Sequence, residues 1–180
     1  IEYILELNKQ GTMFVEYFAT IILSRILTPF STGFMDLQSP AGAGILGVVY
    51  NFNGDVYPTD EARMLAASGD THFRLGNVMY NTYKEIFGNT LLRKIVSNSC
   101  VEIIPMCHSC AYNVYCGADP IRAYSIQNDK NYIGHMPSSE LCKKHKEIIT
   151  FLLNLIENDD ALDIFWSWIT NKELKKVKLQ

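Results

Sequence analysis

Ile1, Ile4, Leu5 and Leu7 recur at near-helical spacing ahead of Gly11, and from Thr12 to about Leu27 the side chains of Phe14, Tyr17, Phe18, Ile21 and Ile22 fall on one broad apolar face. Both stretches predict helices, and Pro29 stops the second. Glu16, Thr20, Ser24 and Arg25 interrupt residues 13–27, so the run falls short of the ~20 apolar residues of a membrane span and reads as a buried helix. The opening segment IEYILELNKQ has neither a basic leader nor a small-residue cleavage site, and it starts inside a helical pattern, as a piece of a longer chain would.

Glycines and Pro40 make residues 31–45 an irregular connection and the best internal boundary. In GVVYNFNGDVYP, residues 47–58, two β-prone segments flank Asn53-Gly54, a pair that tolerates the positive φ of a tight turn, so a hairpin is expected. Pro58 ends its second strand, and Thr59 or Asp60 can cap the helix EARMLAA. Residues 80–87 and 91–96 predict short helices. Pro137 and Ser138 open a long one to about Ile156, and Asp160 starts a last one containing Phe165, Trp166 and Trp168. The fold class is α+β: a small β-hairpin with cysteine-rich loops and flanking helices.

Composition supports a folded chain, with 48% hydrophobic and 19% charged residues. A formal charge of -3, with no basic run before the tail lysines Lys172, Lys175, Lys176 and Lys178, argues against nucleic acid as a partner. The distinctive chemistry is in the cysteines. All five lie in residues 100–142, and Cys107, Cys110 and Cys116 form C-x2-C-x5-C, with Cys142 following after 25 residues. Two thiols one turn apart and a third returned by a short loop can wrap a compact ion or cluster. Cys142 falls in the first turn of the predicted long helix, where free amides favour a thiolate. Four soft donors suit tetrahedral Zn2+ or a four-iron cubane, and spacing does not separate the two. Cys100 stands outside the pattern as an ordinary thiol. Nothing marks the chain as secreted and one cysteine would be left over, so a disulfide framework is disfavoured.

Other chemistry is weaker. Asp60-Glu61, Glu157 and Asp159-Asp160 sit at helix ends, which explains them. Gly42-Ala43-Gly44 with Gly47 precedes a strand and opens no helix, unlike a dinucleotide loop. Ser109 has no base partner in view. His108, between two candidate ligands, suits a hydrogen bond or exposure better than ligation, and His72, His135 and His145 suit surface or packing. Tyr112, Tyr115 and Tyr124 are expected to pack around the cysteine loop.

Residues 39–144 resemble the cysteine-rich auxiliary domain, called SPASM, that follows the barrel of radical S-adenosylmethionine enzymes that modify peptides. That domain reads C-x9-15-G-x4-C, a gap, C-x2-C-x5-C-x3-C, another gap and a last C, and holds two [4Fe-4S] clusters. Cys107, Cys110, Cys116 and Cys142 match the third, fourth, fifth and seventh positions, the family's set for one cluster. At the first, second and sixth positions, which help hold the other cluster, stand Ala41, Thr59 and Pro120, or Asp119 if the loop is one residue shorter. The segments AGAGILGVVYNFNGDVYPTDEARML and FRLGNV further look like maturases of the His-Xaa-Ser repeat peptide system.

The resemblance implies residues 1–37 as the helical end of a barrel region, 38–157 as the auxiliary-cluster domain and 158–180 as a C-terminal helix with a basic tail. It implies a single [4Fe-4S] cluster on the four matching cysteines, with zinc in aerobic preparations. It also implies a cytoplasmic setting, no membrane partner, and a peptide substrate and the enzyme's own barrel as partners. S-adenosylmethionine would be bound only by that barrel, because its C-x3-C-x2-C motif does not occur here, and catalytic residues are expected to be none in this piece. The competing expectation is a non-enzymatic peptide-binding domain stabilised by zinc or a cluster.

Overall fold

The computed structural model describes residues 1–127 and 133–174; the tail lysines Lys175, Lys176 and Lys178 lie outside the described residues. In order, the elements are α1 (Glu2–Lys9), α2 (Tyr17–Leu27), a 3-10 turn (Met35–Leu37), β1 (Val49–Tyr50), β2 (Asp55–Tyr57), α3 (Asp60–Ala67), β3 (Gly76–Asn77), α4 (Tyr83–Phe87), α5 (Thr90–Ser97), α6 (Pro120–Gln127), a second 3-10 turn (Met136–Ser138), α7 (Glu140–Ile156) and α8 (Asp159–Thr170). The architecture is α+β. Its compact units are residues 1–34 with 145–180, and residues 35–144. Among the described residues no helix is long and apolar enough to cross a membrane.

The first unit is helical. α2 begins at Tyr17 rather than near Thr12 because the Glu16 carboxylate accepts from the amides of Phe18 and Ala19, satisfying donors that a helix start leaves free. Asn158 caps α8 by accepting from Ala161, and Asn171, in the left-handed conformation at φ 52°, ends it. Ile21, Ile22 and Leu23 of α2, Ile149 and Leu152 of α7, and Ile164, Phe165 and Trp168 of α8 are buried. Asn8 is one of the polar residues buried with them. Asn8 donates to Ile4 O and Phe14 O, both at 2.8 Å, and its Oδ1 accepts from Trp168 Nε1 at 3.3 Å. It thereby closes the turn after α1 and ties α1 to α8.

In the second unit β2 pairs antiparallel with both β1 (Val49 with Tyr57, Tyr50 with Val56) and β3 (Asp55 with Asn77, Val56 with Gly76). The β1–β2 hairpin is where Asn53-Gly54 predicts it, but the turn is not the two-residue form. Gly54 N donates to Asn51 O at 2.9 Å and Asn51 N to Asp55 O at 2.8 Å, so three residues make the loop, and only Gly54 has a positive φ, 85°. The third strand, β3, was not expected from the pattern. It is held through Asp55, whose buried carboxylate accepts from Asn53 Nδ2 at 2.8 Å and Asn77 Nδ2 at 2.9 Å and lies 3.6 Å from Arg74. The Asn77 hydrogen bond is the chief reason this carboxyl titrates below its usual range, against the opposing push of burial.

Thr59 caps α3 by accepting from Ala62 N at 3.2 Å, and a reciprocal Thr82–Glu85 capping box starts α4 at Tyr83. Val56, Tyr57, Phe73, Leu75, Ile86, Ile95 and Ile121 form the core of this unit. Tyr124 belongs to that core rather than to the cysteine loop: its ring meets Phe73 edge-on at 4.9 Å and stacks on His72 at 5.2 Å, while its hydroxyl donates to Asp70 at 2.8 Å. α6, which the hydrophobic pattern did not announce, places Ile121, Ala123 and Tyr124 inward. A Cβ on Gly134 would collide with the backbone of Pro120, Ala123 and Tyr124, so only glycine lets that segment lie against α6.

Asn8→Ala is expected to lower the unfolding free energy by about 2 kcal/mol, because it strands the buried indole N–H of Trp168. Urea denaturation followed by tryptophan emission measures it.

Candidate metal centre

Between Cys100 and Cys116 the chain is a succession of tight turns. Amides of Ile104, Cys107, Cys110, Asn113 and Cys116 donate three or four residues back, to Cys100, Ile104, Cys107, Cys110 and Tyr112 respectively, at 2.9–3.2 Å. This winding places Cys107 and Cys110 one turn apart. Met106, ahead of the first thiol, sits in the left-handed region at φ 69°, where a residue with a branched Cβ would be strained.

Beyond Cys116 a Cβ on Gly117 would run into Asp36 O and the Leu37 backbone, so the loop approaches residues 36–37 more closely than any side chain allows. Cys142 comes from a distant segment. It stands in the first turn of α7, where its N–H donates to Ser139 O at 3.1 Å and lies 3.4 Å from Ser139 Oγ. Val101, Ile104, Ala118, Met136 and Leu141 form a small apolar cluster, and Cys107 and Cys142 both pack against it. Burial in one cluster is what brings the two segments to one place.

Burial first, and then negative charge on Cys142, Cys107 and Cys110, push the Cys116 thiol up to about 12 against the opposing Gly117 hydrogen bond, so the other three thiols lie within electrostatic reach of it. All four are half-buried and free of disulfides. Cys100 is engaged elsewhere, with Sγ 3.1 Å from Glu102 Oε2. His108 is exposed. Among the described residues no three His, Cys, Asp or Glu side chains stand as a ready coordination set. The donors therefore suit a soft metal by chemistry and neighbourhood, and ligation would require the side chains to draw together and lose their protons.

The positions that resemble lost ligands have other roles. Ala41 is buried and its amide donates to Ser99 O at 3.3 Å; Thr59 caps α3; Pro120 opens α6. Asp119 caps α6, accepting from Ile121 N at 3.0 Å and Arg122 N at 3.1 Å. Burial, countered by the Arg122 amide and added to by Asp36 and Glu61, pushes its carboxyl up to about 6. Asp36 is raised too, by burial and then by Glu61, while Arg122, 3.7 Å away, draws it down. Spacing along the chain gave no sign of this acidic group, since Asp36, Glu61 and Asp119 lie on separate elements.

No family model, curated protein or solved structure matches this chain.

Asp119→Asn keeps a capping oxygen and removes the titration. A carboxyl whose folded value is raised holds its proton more tightly when folded, so the contribution of Asp119 to stability is greatest below about pH 4 and falls as pH rises through about 6. Denaturation curves from pH 4 to 7 on the metal-free chain should show this fall in the parent and a flatter profile in the variant, the gap at pH 7 being about 3 kcal/mol in the variant's favour.

Proposed function

We propose that this chain is the auxiliary iron-sulfur domain of a radical S-adenosylmethionine enzyme that modifies a ribosomally made peptide. Cys107, Cys110, Cys116 and Cys142 would hold one [4Fe-4S] cluster. The observation that carries the reading is that Cys107 and Cys142, from two distant segments, pack against one apolar cluster with Cys110 and Cys142 in electrostatic reach of Cys116, while Cys100, outside the motif, is turned to Glu102. Four soft donors with apolar cover are the environment in which such a cluster persists.

When bound, the cluster would supply one-electron chemistry. The protein's own part is to present the thiols and shield them: the turns from Cys100 to Cys116 set the spacing of three, the start of α7 offers the fourth, and Val101, Ile104, Met136 and Leu141 keep water from one side. Reduced thiols of this kind belong in a reducing compartment, hence a cytoplasmic setting. The peptide substrate and the enzyme's own barrel are the proposed partners. Cofactor cleavage needs a geometry that an auxiliary thiolate site does not supply.

Anaerobic reconstitution followed by iron and sulfide analysis and Mössbauer spectroscopy tests the reading. About four irons per chain in one cubane signal are expected, with loss in Cys110→Ala and none in Cys100→Ala. Zinc alone, retained under strict anaerobic loading, would reduce the site to a structural one and favour a peptide-binding module. Two cubane signals would mean that ligands other than Ala41, Thr59 and Pro120 complete a second site.

The reconstituted chain alone is expected to form no 5′-deoxyadenosine from S-adenosylmethionine and reductant. Chromatographic detection of sustained, cofactor-dependent product would sink that expectation.

A further inference from the structure

Asn53-Gly54, which turns the hairpin, is the one Asn-Gly pair in the sequence. The same two residues can react with each other, because glycine has no side chain to keep its amide nitrogen away from the carboxamide before it. In an open chain the Gly54 nitrogen attacks Asn53 Cγ and gives up its proton to solvent, and the Asn53 side-chain nitrogen departs as ammonia. Water then opens the five-membered succinimide, leaving an aspartyl or an isoaspartyl residue at position 53. One water replaces one ammonia, and nothing is oxidised or reduced.

Folding holds back each group that this reaction needs. The attacking nitrogen donates to Asn51 O at 2.9 Å. The carboxamide is clamped at both ends, Nδ2 donating to Asp55 Oδ2 at 2.8 Å and Oδ1 accepting from Asp55 N at 3.1 Å. The peptide between the two residues is held as well: Asn53 O accepts from Asn77 Nδ2 at 3.0 Å, and Gly54 O from Val78 N at 2.9 Å. Rotation of the side chain and backbone toward attack would break these bonds. Solvent is no obstacle, since Asn53 is exposed beside Phe52, itself 99% exposed. The reaction therefore runs through the fraction of chains whose loop has opened.

Conversion would undo the clamp. A carboxylate at position 53 has no N–H to offer Asp55, so two negative charges would face each other where donor and acceptor now meet. An isoaspartyl linkage would add a carbon to the backbone of the three-residue loop, whose length sets the register of the strands. Asp55 also accepts from Asn77 Nδ2 at 2.9 Å, so the damage would extend to β3.

We infer that Asn53 is a deamidation site gated by the fold: the hydrogen bonds to Asp55 and Asn77 keep it intact, and its conversion loosens the sheet that protects it. This site is independent of what the cysteines bind.

Peptide mapping by mass spectrometry reads the conversion, on the full chain held at neutral pH in reducing buffer with and without denaturing guanidinium chloride. The folded chain should convert at Asn53 at least about ten-fold more slowly than the unfolded one. Asn77→Ser, which removes a brace without changing charge, should bring the folded rate toward the unfolded rate with circular dichroism unchanged. Should that variant not fold, the parent in rising sub-denaturing guanidinium gives the same reading, as a rate that climbs before global unfolding. Asn53→Asp, the direct product, should melt at a lower temperature than the parent. Equal rates in the folded and unfolded parent would overturn the gating, and an Asn53→Asp chain as stable as the parent would overturn the consequence.

Discussion

A carboxylate buried in a very small sheet organises much of the second unit. β1, β2 and β3 contribute two, three and two residues, too few ladder bonds to hold three strands on their own. Asp55 cannot be ionised in that position without donors, and the donors available come from both turns and from Arg74. Satisfying one charge therefore fixes the hairpin loop, the strand that follows α3 and the turn beyond it. The core side chains Val56, Leu75 and Ile86 pack on a framework whose edges are pinned by side-chain bonds.

Local chemistry was the most legible part of the sequence. Pro29, Thr59, Asn53-Gly54 and the apolar spacing of α5 each act over a few residues, and the elements appear where those residues place them. Legibility failed where a partner distant in sequence decides the outcome. β3 exists because Asn77 reaches Asp55, 22 residues away, and the sequence GN has no strand propensity of its own. α6 owes its start to Asp119 and Pro120, which align with the family's sixth cysteine, though an Asp followed by Pro is also a helix start. Proximity in the chain suggests that Tyr124 packs on the cysteine loop, whereas its helix turns it toward Phe73 and Asp70.

For the candidate centre, the spacing of Cys107, Cys110 and Cys116 could be read directly because repeated tight turns translate sequence distance into spatial distance. The return of Cys142 could not, since it depends on Met136 and Leu141 packing against Val101 and Ile104. Spacing told apart the candidate ligands and Cys100; only the fold revealed that Cys100 has Glu102 for company. The raised carboxyls of Asp36 and Asp119 likewise belong to the assembled unit, not to any segment of it.

Gly117 and Gly134 give the region a property that bears on how its variation is read. One lies against Asp36 and Leu37 just before α6, the other against α6 itself, and neither position has room for a methyl group. Across related chains or a saturation library, both glycines would tolerate as little change as the thiols they accompany. Intolerance to substitution around this loop consequently reports two unrelated demands, the proposed donor chemistry and backbone proximity. Invariance alone would count these glycines among the functional residues, although they touch nothing but the chain they belong to.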